Sequence, residues 1–186
     1  MNVLDFKSMF SALKKRMEEK ASARTAIRYF FRYWTVFLVL LLISFTVGYV
    51  FGDRQLITET AQFNHWSDFI DILKRNTLVF GYILLSVYTS KINVYIMVIF
   101  NGILVGTIIS RFAHTQYLIM LLPHGILEMS VFFMLGAIVS KYVDKKETNW
   151  KTLIKPVSIL YIGLIASAVI EAWVTPFLTV KYCYGL

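Results

Sequence analysis

Residues 33–52 read YWTVFLVLLLISFTVGYVFG, twenty consecutive positions without a charge. At about 1.5 Å of rise per residue, a helix of that length spans the ~30 Å hydrocarbon core of a bilayer. The polar region before it fills residues 1–32, and Phe51-Gly52-Asp53-Arg54 is no small-x-small cleavage site. The run therefore reads as a retained transmembrane helix and not as a signal peptide. Further runs follow it. One leads from Asn76 to Ser90 and borrows Ile70–Arg75 to reach spanning length. Others cover Ile92–Ser110, His124–Ser140 and Val157–Val180, the last with Pro176 near its end. The expectation is an all-α integral membrane protein: a cytoplasmic segment 1–32, then a single transmembrane domain 33–180 with five spans, at 33–52, 71–90, 92–110, 124–140 and 157–180. Ala113–Leu122 is too short to cross and reads as a re-entrant or interfacial segment, with Pro123 suited to the first turn of the helix that follows.

The composition agrees. In 186 residues the hydrophobic share is 58% and the charged share 16%, against about one quarter charged in soluble domains. Fifteen Phe, eleven Tyr and four Trp are too much apolar surface for a disordered chain. A single cysteine, Cys183, rules out an internal disulfide framework. The net charge of +8 is unevenly placed. With the N-terminus inside, the inner segments hold eight Lys and Arg in residues 1–32, then Lys91, then five in 141–156. The outer segments hold Arg54, Lys74, Arg75, Arg111 and Lys181. That asymmetry gives an N-in, C-out orientation and puts the basic residues against an anionic inner leaflet, so the charge gives no support to a nucleic-acid partner. Val3, Phe6, Phe10, Leu13 and Met17 form a helical stripe, read as an amphipathic helix on the inner interface. The end of the outer loop, with Phe63, Trp66, Phe69, Ile70 and Leu73, reads as a second interfacial helix.

Ionisable and amide side chains inside spans are costly, so the few present direct the functional reading. His124 and Glu128 lie four apart, on one face of the fourth span. Glu171 is in the fifth, Asn101 in the third within Asn101-Gly102-x-x-x-Gly106, and Asn76 opens the second. Counted from Lys141, Glu128 stands about 20 Å above the inner end; counted from Val157, Glu171 stands about 21 Å above it. The two carboxyls thus share a level in the outer half of the core, with His124 a turn higher. The five side chains can converge on one outward pocket, and Gly102 and Gly106 would let the third helix approach a neighbour closely. Two carboxylates in a low-dielectric setting should share a proton or a cation. Acid–base or water-activating chemistry on a peptide or ester bond fits this set. So does a divalent metal such as zinc on His124, Glu128 and Glu171. A proton- or ion-coupled conduit fits as well. The bland alternative is a hydrogen-bonded cluster that joins helices. Phosphate-binding and serine-hydrolase motifs are absent from the sequence, so active transport would need an ATPase partner.

The run Pro123-His124-Gly125-Ile126-Leu127-Glu128 resembles the Pro-His-Gly-x-x-Glu signature of the stage II sporulation protein M family. Ile170-Glu171-Ala172-Trp173-Val174-Thr175-Pro176 is similar to that family's Ile-Glu-Ala-aromatic-x-Thr-Pro segment. Asn76, Asn101, Gly102 and Gly106 fall at its Asn, Asn-Gly and Gly positions, and the resemblance covers about residues 24–180. It implies a multi-pass protein of a bacterial plasma membrane. Small members are encoded with circular bacteriocins and linked to maturation, export or immunity, often beside an ATP-binding-cassette ATPase; founding members work with cell-wall hydrolases. The expectation is therefore a maturation factor that removes a leader from, or ligates head to tail, a hydrophobic peptide precursor. Glu128 would be the base, Glu171 its proton-sharing partner, His124 a proton shuttle or metal ligand, and Asn101 a donor to the reacting carbonyl. Asn76, Pro123 and Gly125 would support them. A non-enzymatic export or immunity subunit, and a scaffold for cell-wall enzymes, are the alternatives.

Overall fold

The computed structural model describes residues 3–52, 64–111, 116–145 and 150–178, with side chains described within 21–52, 64–111, 123–145 and 151–178. The described residues form five helices: α1 (Val3–Phe51), α2 (His65–Leu85), α3 (Lys91–Arg111), α4 (Gln116–Lys145) and α5 (Trp150–Val169). The last runs on through a π-helical turn, Ile170–Val174. Four stretches are long and apolar enough to cross a membrane: Ala21–Phe51, Lys91–Arg111, Pro123–Lys145 and Lys151–Leu178. α2 has the length but carries Asp68, Asp71, Lys74 and Arg75 in its first half, which keeps it out of that group.

Three boundaries differ from the sequence reading. Residues 3–17 are not a separate interfacial helix but the start of α1, which continues unbroken for 49 residues. The cause is local: no Pro or Gly occurs between Val3 and Val47 to interrupt the hydrogen-bond ladder. The side chains of the Val3–Met17 stripe lie outside the described residues. The aromatic segment ahead of the second span is likewise not a helix of its own. Trp66 to Leu73 are the opening turns of α2, capped by Asn64, whose side-chain oxygen accepts from Ser67 N at 3.4 Å. Finally, Ala113–Leu122 is not a re-entrant element within the described residues. Residues 116–122 are the first turns of α4, and Pro123 sits inside that helix, not in its first turn. A proline there removes one backbone bond, which the remaining turns of a 30-residue helix outlast. Residues 113–115, like Phe63 and Cys183, lie outside the described residues. Pro156 is tolerated inside α5 in the same way, so that helix begins at Trp150.

The core is packed between α1, α3 and α4. Tyr33, Val94, Val98, Phe132, Phe133 and Leu135 are almost wholly buried. Phe133 meets Trp34 and Phe37 edge to face, with ring centroids 5.1 and 5.4 Å apart. α3 approaches α1 at backbone distance, because a Cβ on Gly102 would stand 3.0 Å from the Phe37 carbonyl and one on Gly106 2.5 Å from the Leu41 carbonyl. This is small-residue packing of the kind that substitutes for the hydrophobic drive absent between helices in lipid. The outer surface is apolar instead: Phe31, Leu42, Val50, Leu78, Phe100 and Ile162 are all exposed. Several hydroxyls within the spans are satisfied by their own helices: Thr46 donates to the Leu42 carbonyl at 2.8 Å, and Thr107 to the Ile103 carbonyl at 2.8 Å. At one end of the bundle Lys91 pairs with Asp144 at 2.6 Å, Tyr29 donates to the same carboxylate, and Tyr142 bonds Thr152 at 2.7 Å. This end ties together α1, the start of α3, the end of α4 and the start of α5.

Candidate functional site

Toward the other end, a cavity of about 570 Å³ opens between the helices. Its apolar wall comes from α1 and α3, with Trp34, Phe37 and Leu41 facing Leu104, Val105 and Ile108. Its polar side comes from α2, α3, α4 and the π-turn. Asn76, Asn101, His124, Glu128 and Glu171 all line it, as does Gly125. The five polar side chains singled out in the sequence therefore share one cavity. Pro123 is exposed and does not line it, while Gly102 and Gly106 serve the α1–α3 contact.

Each side chain has a local reason for its position. His124 and Glu128 are one turn apart on α4 and so face the same way. The Thr175 hydroxyl donates to the Ile170 carbonyl at 3.4 Å. Its oxygen lies 3.1 Å from His124 Nδ1, a hydrogen bond that fixes the orientation of the ring. Ser167 on α5 donates to the His124 backbone carbonyl at 3.1 Å. Glu171 sits in the π-turn, where the Thr175 backbone N–H reaches back five residues to the Ile170 carbonyl. Such turns insert one residue and re-aim the side chains around it. Glu128 and Glu171 lie within electrostatic range of each other, and Arg75 lies within range of Glu171. Asn101 uses one amide proton on the Met97 carbonyl of its own helix at 2.9 Å. Asn76 lies against the Glu128 carboxyl, yet its buried Nδ2 closes no hydrogen bond among the described residues.

Four residues with a role here did not emerge from the sequence: Arg75, His65, Ser167 and Thr175. Arg75 lines the cavity although it reads as an outer-loop charge. His65 donates Nδ1–H to the Ala172 carbonyl at 2.7 Å, and its ring stacks on Trp173 at 6.1 Å. Trp66 and Phe69 also contact Trp173, so the first turns of α2 clamp the π-turn that carries Glu171. A histidine beside aromatics at the head of a helix was the available signal for this clamp.

Among the described residues no three His, Cys, Asp or Glu side chains are grouped to hold a metal ion, so His124, Glu128 and Glu171 do not form a ligand set.

The chain is 29% identical over 170 residues to an uncharacterized protein, MJ0793, of Methanocaldococcus jannaschii, covering 75% of this chain and 93% of that protein. No solved structure matches it. The sequence profile of Stage II sporulation protein M matches residues 35–176, a stretch that contains every polar residue of the cavity. The chain belongs to the Stage II sporulation protein M family.

Proposed function

We propose that the chain is a multi-pass protein of a bacterial plasma membrane, with its N-terminus in the cytoplasm, that matures a hydrophobic peptide such as a circular bacteriocin. The convergence of Glu128, Glu171, His124, Asn101 and Asn76 on one cavity with an apolar wall supports this reading most directly. The orientation rests on the basic residues at the Lys91–Asp144 end and in residues 1–32, which belong on the cytoplasmic side. α2 then completes the bundle as a fifth crossing whose charged first half faces the outer interface. The apolar wall holds the side chains of the peptide while the polar side meets its backbone. In leader removal, Glu128 takes a proton from water as the water oxygen bonds to the scissile carbonyl carbon. The carbonyl oxygen is held by the Asn101 N–H that Met97 does not use. Glu171, with His124 relaying, delivers a proton to the departing amine as the carbon–nitrogen bond breaks. In head-to-tail ligation the peptide's own N-terminal amine replaces water: Glu128 takes a proton from the amine as its nitrogen bonds to the carbon of the protonated C-terminal carboxyl group, and Glu171 protonates the hydroxyl that leaves as water. The test is conversion of precursor by the purified protein in lipid with no ATPase present. Glu128→Gln and Glu171→Gln should each slow conversion by about 10²–10⁴-fold. Normal conversion by the double variant would end this reading.

One observation favours a second reading, a non-enzymatic export or immunity subunit. α1 is 49 residues long, so at about 1.5 Å per residue it exceeds twice the hydrocarbon thickness. The excess would project into the cytoplasm, where an ATP-binding-cassette ATPase could dock. Reversal of Lys145, Lys146 and Lys151 would then abolish export and spare processing.

A further inference from the structure

The cavity is lined by an arginine, the exposed Arg75, that the reaction outlined above does not use. Arg75 and Asn76 are consecutive on α2 and both line the cavity beside the two glutamates, Asn76 against Glu128 and Arg75 within electrostatic range of Glu171. Asn76 is only 9% exposed, and its Nδ2 is the one buried side-chain nitrogen or oxygen among the described residues without a hydrogen bond. An orphaned donor at that depth is costly unless a ligand acceptor completes it. Arg75 is the complementary case. It is anchored by Nε on the Asp71 carbonyl at 3.3 Å, yet it makes no ion pair with Glu171. The only pair within 4.0 Å among the described residues is Lys91–Asp144, at the far end of the bundle. One cation and two carboxyls thus face the same cavity without touching, and an unpaired donor stands beside the cation.

We infer that Arg75 and Asn76 form a seat for the C-terminal carboxylate of a hydrophobic peptide, and that Glu171 and Glu128 form the adjoining seat for its N-terminal ammonium group. Guanidinium and amide N–H groups match the two oxygens of a carboxylate, and this pairing is directional and charge-assisted. The ammonium offers three donors to the acidic side. Trp34, Phe37, Leu104 and Ile108 receive the apolar side chains between the two ends. At about 570 Å³ the space suits a few residues and not a folded domain. The inference rests on the peptide reading above and adds to it the part of the peptide that is recognised: the two free ends, brought within one cavity.

The test uses the full chain in phosphatidylcholine nanodiscs and a short apolar peptide labelled on a mid-chain side chain, followed by fluorescence anisotropy. Four forms are compared: free termini, C-terminal amide, N-terminal acetyl, and both blocked. Wild type should bind the free-terminus peptide about tenfold more tightly than the amide. Arg75→Gln should abolish the acid-over-amide preference and keep the amine-over-acetyl preference, while Arg75→Lys retains part of the former. Glu171→Gln should do the opposite. Equal binding of acid and amide by wild type would overturn the inference. So would an Arg75→Gln variant that weakens all four peptides alike, which is the mark of a structural role. Loss of peptide binding when phosphatidylethanolamine replaces phosphatidylcholine would assign the site to a lipid headgroup with a primary ammonium and overturn it as well. Terminus preference without conversion would leave the seat standing and remove the reaction; conversion without preference would do the reverse.

Discussion

Ser167 on α5 donates its hydroxyl to the backbone carbonyl of His124 on α4, and both residues are buried. In a regular helix that carbonyl also pairs with the Glu128 N–H. The bond therefore falls on the turn that carries both α4 site residues, just ahead of the π-turn that carries Glu171. Ser167→Ala removes it and leaves the carbonyl its helical partner, so the loss should be about 0.6–1 kcal/mol. The thermal midpoint in detergent should fall by about 2–4 °C. A larger effect on processing than on that midpoint would show that the tie sets the relative register of α4 and α5.

Gly106 is a position where backbone meets backbone. An added Cβ would stand 2.5 Å from the Leu41 carbonyl oxygen and 2.9 Å from Ser44 Cβ. Neither group is the free end of a flexible side chain, so α1 and α3 would have to separate. Gly106→Ala should destabilise by about 1–3 kcal/mol. Gly81 on α2 is the internal control, because a Cβ there meets nothing within 4 Å. Gly81→Ala should be neutral, or stabilising by up to about 1 kcal/mol through helix propensity. Unfolding midpoints of the two variants, compared side by side, check both statements.

Lys91 and Asp144 are 41% and 36% exposed at the side chain, so their 2.6 Å pair is screened by solvent. Asp144→Asn should cost less than about 1 kcal/mol, and less still at high salt. Tyr29 shares the carboxylate and joins α1 to the pair. The exchange variant Lys91→Asp with Asp144→Lys should restore stability at low salt. The comparison is the unfolding midpoint of single and exchanged variants at two ionic strengths.

The spans could be read from the sequence because a bilayer imposes a length and an apolar composition that residues 33–52 and 92–110 meet on their own. That Glu128 and Glu171 could meet was legible because the rise per residue is nearly constant, and both residues line one cavity. Rotational setting was harder to read. Arg75 counts among the outer charges in the sequence, and it becomes a cavity residue because α2 starts at His65 and runs as one helix through the second span. Thr175 reaches His124 through a π-turn, and that inserted residue leaves no trace in hydropathy. Pro123 suggested a helix start, whereas the helix begins at Gln116. Proline reports a missing N–H and a fixed φ, which an interior turn can also absorb.

Asn76 separates a functional cluster from hydrogen-bonded packing. If the polar residues served only to join helices, removing the Asn76 side-chain amide would cost stability. The structure gives the opposite expectation, because the buried Nδ2 has no partner to lose. Replacing an unsatisfied buried donor with an apolar group of similar size is close to neutral or stabilising. Asn76→Leu should therefore leave the unfolding midpoint unchanged or raise it by up to about 1 kcal/mol of stability. The same variant should weaken binding of the free-terminus peptide several-fold, and precursor conversion should fall with it. Asn76→Asp is the informative companion, since it keeps the shape and places a third carboxyl beside Glu128. That variant should bind the C-terminal carboxylate worst of all, through like-charge repulsion in a water-poor cavity. A midpoint that drops sharply for Asn76→Leu while peptide binding holds would identify Asn76 as packing and leave the carboxylate seat to Arg75 alone.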